Sequence, residues 1–300
     1  MGAGHEHGHG HAGTRHRWRL ALAFALVGAF LVVELVAGLW SGSLALLSDA
    51  GHMAADVVAL GAALAATRIA TRADTTGRRT YGSYRAEVFA SGFTVLLMLG
   101  AAAYVAIEAV RRLGTAVEPE TGPMLVVGGL GLLVNLVALV LLRGGASESL
   151  AVKGAYFEVI ADSLGSVGVV AAGVLVLMTG HGWWDTVVAV AIALFVAARA
   201  VMLGREVLAV LGQHAPAGVD PDAVAADLEA MPGVLGVHDL HLWTLTSGMH
   251  VATAHLVAGP PVDREAVLAG ARALLRERHG IDHATVQVET DAKACEELSW

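Results

Sequence analysis

Five ionisable side chains lie where apolar runs should admit none. Asp49, His52 and Asp56 fall within Leu44–Ile69, and Glu158 and Asp162 within Gly154–Thr179. In a helix, positions i, i+3 and i+7 share a face, so the first three project together, as do Glu158 and Asp162 at i and i+4. An ionisable group at the centre of a bilayer costs roughly 2.5–3.5 kcal/mol, so each demands a reason. Neither run carries Lys or Arg near these groups, which leaves a bound cation or protons to neutralise them. His52 with Asp56, and Glu158 with Asp162, are each one turn apart, the spacing at which two side chains hold one ion. If the two helices face each other, His52, Asp56, Glu158 and Asp162 form a cage of one nitrogen and three carboxylates, which tetrahedral Zn²⁺ accepts.

The elements that must carry this cage are membrane helices. The 300 residues are 56% hydrophobic and 15% charged, with a mean hydropathy of +0.64, whereas soluble domains carry roughly a quarter charged residues. Six spans are predicted, near Trp18–Trp40, Leu44–Ile69, Glu87–Val110, Met124–Leu142, Gly154–Thr179 and Asp185–Leu203. Arg15, Arg17 and Arg19 cluster at the start of the first span, Arg68, Arg72, Arg78, Arg79 and Arg85 surround the second connection, and Arg143 and Lys153 flank the fourth. Arg199 and Arg205 close the sixth, while the opposite side has Arg111 and Arg112. By the positive-inside rule both termini and these two connections are cytoplasmic, in a multi-pass protein of the cell membrane. No basic footprint for nucleic acid is present. The single Cys295 excludes an internal disulfide framework. Met1–His16 lacks the basic–apolar–small order of a signal peptide.

Residues 1–17 read as a disordered Gly/His-rich tail, 18–208 as a six-helix membrane domain, 209–290 as a small cytosolic α/β domain, and 291–300 as a C-terminal tail. In the cytosolic part, Pro221–Met231 and Asp263–His279 are helical in pattern, and Val234–Leu245, Met249–Val257 and His283–Glu289 alternate as strands. The fold class is therefore an all-α polytopic membrane domain followed by a small α-β-β-α-β domain, its helices on one face of a three-stranded sheet. Glu34 and Asn135, in the first and fourth spans, could line a pathway or hydrogen-bond between helices. Glu108 precedes Arg111 and Arg112 by three and four positions, the spacing of a helix-surface ion pair.

The motifs GSLALLSDAGHMAAD, RTYGSYRAE, GAYFEVIADSLGSVGVV and VHDLHLWTLTSG together resemble the cation diffusion facilitator family, of the zinc-exporting type, over nearly the whole chain. The resemblance implies six helices, a metallochaperone-like cytosolic domain, a homodimer in the lipid bilayer, and export of Zn²⁺, often also Cd²⁺, in exchange for protons. It places the transport site at His52, Asp56, Glu158 and Asp162, with His238, His255, His283 and Glu289 as a cytosolic metal site. Zinc-type members usually have His where this chain has Glu158, and Tyr84 stands where a His is common. A carboxylate at 158 makes the site harder, which opens a broader specificity towards Mn²⁺, Co²⁺ or Fe²⁺. Zn²⁺ then serves as cargo and regulatory ligand of a transporter rather than cofactor of an enzyme, since no HExxH-type pair lies in the predicted spans, where an intramembrane metalloenzyme would need it. A membrane metal sensor is the alternative, but it has no reason to hold Asp56 and Asp162 within lipid.

Overall fold

The computed structural model describes residues 17–70, 78–113, 118–143 and 150–290, excepting the side chains of 17–21, 23, 59, 60, 62–70 and 150–155. The Gly/His-rich segment and the C-terminal tail lie outside these residues. Six long helices follow the six apolar runs: α1 Arg17–Ser41, α2 Leu44–Ala70, α3 Ala86–Arg112, α4 Thr121–Arg143, α5 Leu150–Thr179 and α6 Trp183–Leu211. Among the described residues, Phe24–Ser41, Ala86–Arg112, Thr121–Arg143, Tyr156–Thr179 and Trp183–Leu211 are long and apolar enough to cross a membrane. The remaining long helix, α2, has 27 residues, roughly 40 Å of helix against a hydrocarbon core about 30 Å thick. α6 runs eight residues beyond the expected Leu203, because the apolar run stops near Arg205 and Glu206 while the helical pattern does not.

Large apolar side chains such as Val36, Leu39, Phe93, Leu96, Leu133 and Leu194 face outward. Such a surface suits lipid and would be an aggregation hazard in water. The buried faces mix large side chains such as Leu44, Leu46, Met53 and Met124 with glycines at the closest approaches. A Cβ on Gly131 of α4 would lie 2.7 Å from the Phe30 ring of α1, and a Cβ on Gly165 of α5 would collide with the carboxylate of Asp49 on α2. Glycine thus lets these helices approach as small residues do in membrane interfaces. Between α1 and α2 the chain turns at Gly42, whose φ of +67° suits glycine. Ser43 then caps α2, its Oγ accepting from the Leu46 N–H at 3.1 Å.

By its contacts the chain divides into one unit of residues up to Ala62 with Phe93–Leu203, and a second of Ala63–Gly92 with Gly204 onward. The second contains α7 Pro221–Glu229, β1 Val234–Thr246, β2 Met249–Ala258, α8 Arg264–His279 and β3 His283–Glu289, the α-β-β-α-β order predicted. β2 lies in the middle of the sheet, antiparallel to β1 and parallel to β3. Val224 and Leu228 of α7 and Val267, Ala271 and Leu275 of α8 pack with Ala252, Ala254 and Leu256 of β2. Both helices therefore cover one sheet face. Asp220 and Asp263 cap the two helices, and Gly280, at φ +66°, ends α8.

Candidate metal centre

His52 and Asp56, one turn apart on α2, meet Asp162 of α5. His52 Nε2 lies 3.6 Å from Asp56 Oδ2 and 3.5 Å from Asp162 Oδ1. A tetrahedral ion with bonds of about 2.0–2.1 Å places its ligands about 3.4 Å apart, so these separations are close to the edges of an ion-sized tetrahedron. Asp56 Oδ2 and Asp162 Oδ1 are buried and have no hydrogen-bond partner among the described residues. Buried oxygens left this way are costly unless something else satisfies them, and a divalent cation would satisfy both at once. Phe195 of α6 sets its ring edge-to-face against His52, with centroids 6.0 Å apart, and so fixes the imidazole's orientation.

Glu158 stands apart from this trio. Its Oε1 accepts from Arg199 Nη2 of α6 at 2.7 Å, and Arg199 Nη1 lies 3.4 Å from His52 Nε2 and 4.0 Å from Asp56 Oδ2. This cation comes from outside the two ligand-bearing spans: in the sequence Arg199 reads as a marker of the cytoplasmic side, and packing of α6 makes it a partner of the site. Side-chain exposure rises from 2% at His52 and 4% at Asp162 to 22% at Asp56 and 44% at Glu158.

Asp49, on the same face of α2, is fully buried and adjoins the equally buried Glu34 of α1, about one turn from the three-residue cluster and outside it. Asn135 Nδ2 donates to Ser166 Oγ at 3.3 Å, joining α4 to α5. Arg112 is more than a helix-surface partner of Glu108. It reaches Glu108 at 3.4 Å, Asp185 of α6 at 3.3 Å and the Gly42 carbonyl at 3.0 Å. Asp185 is fully buried and accepts from Ser43 Oγ and from the Leu44 and Ala45 N–H groups at 2.6, 2.7 and 3.1 Å. It thereby caps α2 from another helix. Asp185 reads in the sequence only as the start of a span.

In the cytosolic domain, His238 of β1, His255 of β2 and Glu289 of β3 converge. Glu289 lies 3.3 Å from His238 Nε2 and 3.1 Å from His255 Nδ1. His238 and His255 are directly paired across β1 and β2, and His255 lies on the sheet face opposite Ala254 and Leu256, away from the helices. His283 does not join them. It is paired with Val251, four positions from His255 along β2, roughly 13 Å of strand.

Residues 20–211 match the cation efflux transmembrane domain, and residues 216–291 the cation efflux protein cytoplasmic domain. The chain is 45% identical over 291 residues to the metal cation efflux system protein CzcD of Cupriavidus metallidurans, covering 96% of this chain and 90% of that one. It is 32% identical over 278 residues to the cadmium, cobalt and zinc/H(+)-K(+) antiporter of Bacillus subtilis, covering 90% and 88%. It is 34% identical over 269 residues to the zinc transporter ZitB of Escherichia coli, covering 89% and 85%. A solved structure described as the metal-bound C-terminal domain of the CzcD transporter from Cuprividus metallidurans is 40% identical, covering 24% of this chain and 99% of its own, with a TM-score of 0.23. The matches of residues 20–211 and 216–291 and the three sequence relatives, on a chain of six long helices and an α/β domain, place it in the cation efflux family of membrane transporters.

Proposed function

We propose that this protein exports Zn²⁺, and with it Cd²⁺, from the cytoplasm by alternating access around His52, Asp56 and Asp162, in exchange for protons. The observation that carries the reading is the convergence of one imidazole and two carboxylates from α2 and α5 at ion-sized spacing. A nitrogen donor among oxygens favours Zn²⁺ over the harder Mg²⁺ or Ca²⁺. The relatives' names, which speak of zinc, cadmium and cobalt, point to the same class of cargo. Proton exchange follows from charge. Once a dication leaves, buried carboxylates stay uncompensated in low dielectric, and protons are the available neutraliser.

The exposure gradient supports a state open to the cytoplasm. α2 and α6 run towards the cytoplasmic side in the positive-inside topology and α5 runs away from it, so Asp56, Glu158 and Arg199 lie on the cytoplasmic flank of the site. These are the exposed groups, whereas Glu34 and Asp49 on the far flank are fully buried. The match of residues 216–291 to the family's cytoplasmic domain supports a homodimer with that domain in the cytosol, where His238, His255 and Glu289 form a regulatory metal site. The division at 208/209 separates transport from regulation in this reading.

The test is metal-stimulated flux in proteoliposomes with a proton-sensitive dye inside. Asp56→Ala and Asp162→Ala should each abolish Zn²⁺ flux and the accompanying proton movement while the protein still inserts. Normal flux from either variant would remove the site from the transport path. Zn²⁺ flux without proton movement would remove the exchange.

A further inference from the structure

Arg199 enters the metal centre from α6, and its two arms do different things. Nη2 makes a short, charge-assisted bond of 2.7 Å to Glu158, whereas Nη1 stands 3.4 Å from His52 Nε2 and 4.0 Å from Asp56 Oδ2. We propose that Arg199 is a tethered counter-cation of the metal centre, holding Glu158 out of the coordination shell, so that His52, Asp56 and Asp162 are the protein's only ligands and the occupied site is electrically neutral. This rests on the reading of that trio as the transport site, and adds to it the role of Glu158 and Arg199.

Three features carry the assignment. Glu158 is the most exposed of the four acidic or imidazole groups, and its carboxylate is already engaged. Recruiting it to an ion would break a bond of the strong kind and leave an unpaired guanidinium beside a dication. Charge arithmetic points the same way. Asp56, Asp162 and Glu158 contribute three negative charges and Arg199 one positive, leaving two, which a divalent ion cancels. Coordination chemistry agrees as well: closed four-ligand sites hold structural metal, whereas sites with three protein ligands keep one position open for exchange. A transport centre must release what it binds. The guanidinium near His52 also stands where it can occupy the imidazole lone pair before an ion arrives, so loading requires only that Nη1 withdraw while Nη2 keeps Glu158.

The experiment uses the full-length protein in detergent for Zn²⁺ calorimetry and Co²⁺ absorption, and in proteoliposomes for flux, with Glu158→Gln, Arg199→Gln, the double variant and Arg199→Lys. Removing Glu158's charge leaves Arg199 uncompensated beside the ion, and Zn²⁺ affinity should fall about tenfold, the scale of a coupled charge pair. Removing Arg199 frees Glu158 to bind, so affinity should rise by a similar factor and flux should drop as release slows. The double variant restores the site's charge, and its affinity should return towards wild type. Arg199→Lys keeps the charge and should recover part of the flux. The Co²⁺ ligand-field spectrum should be the same in wild type and Glu158→Gln, because no ligand is lost.

If Glu158 were a ligand, the double variant would stay as weak as Glu158→Gln and the Co²⁺ spectrum would change. Either result overturns the assignment. Asp162→Ala run alongside separates the two levels. Flux retained there means that the transport site itself is misplaced. Flux lost there, with no recovery in the double variant, means that only the role of Arg199 is wrong.

Discussion

His52 supplies the single nitrogen among the three converging donors, and its position leaves little freedom. It is almost wholly buried, with Asp56 and Asp162 at 3.6 and 3.5 Å and Phe195 against its ring. Imidazole is a borderline ligand suited to Zn²⁺ and its neighbours, whereas carboxylates are hard and suit Mn²⁺. His52→Asp would turn the trio into an all-oxygen set without changing its helix or its face. The expected outcome is a shift of preference from Cd²⁺ and Zn²⁺ towards Mn²⁺ by about tenfold or more, equivalent to about 1.4 kcal/mol. Competitive uptake of Zn²⁺, Cd²⁺ and Mn²⁺ into proteoliposomes measures it. Unchanged ratios with flux intact would mean that the imidazole does not touch the cargo. The pairing of His52 with Asp56 was legible because an i, i+4 relation is local and every helix enforces it. The engagement of Glu158 was not, because a cation on α6 becomes its neighbour only through tertiary packing.

Two contacts between helices set where those donors stand. Asp49 packs directly on Gly165, so α2 and α5 are drawn together one turn from the metal centre. Asp185 and Arg112 gather the start of α2, the end of α3 and the start of α6 around one buried carboxylate. Gly165→Ala should force α2 and α5 apart, at a cost of about 1–3 kcal/mol from overpacking, and should lower both the melting temperature and Zn²⁺ flux. Gly129→Ala, on an exposed face of α4 with nothing within 4 Å of the new methyl, is the matched control and should be tolerated. Equal behaviour of the two variants in thermal melts would show that the α2–α5 approach is not tight. The glycines after Asp162 suggested a close-packing face in the sequence, since small residues mark membrane helix interfaces. That the partner would be a buried carboxylate was not legible, nor that Asp185 would cap a helix 140 residues away. Strand register hid His283 in the same manner. His238, His255, His283 and Glu289 are equally plausible ligands in a list, and only the pairing of β2 with β3 separates His283 from the rest.

Metal bound in the cytosolic domain must register in the stability of the whole protein if that domain regulates it. Any ligand that binds the folded state alone stabilises it, by about 2.7 kcal/mol at a concentration 100 times its Kd. The trio of His238, His255 and Glu289 draws one group from each strand of the sheet, so an ion there would tie β1, β2 and β3 together. The proposed transport centre would bind Zn²⁺ as well, and its contribution has to be removed first. Asp162→Ala is therefore the background in which Zn²⁺-dependent melting of the full-length protein is followed. Zn²⁺ should still raise the melting temperature there, because the cytosolic trio is intact. Adding His255→Ala removes the central ligand and should abolish the rise, whereas adding His283→Ala should leave it, since that side chain lies well along the sheet from Glu289. With the transport centre restored, the His255→Ala protein should keep measurable Zn²⁺ flux, its dependence on cytoplasmic Zn²⁺ moved to higher concentration as the regulatory stabilisation is lost. A melting temperature that rises equally with and without His255 would exclude the trio as a metal site. Loss of the rise in the His283→Ala protein would return that residue to the ligand set.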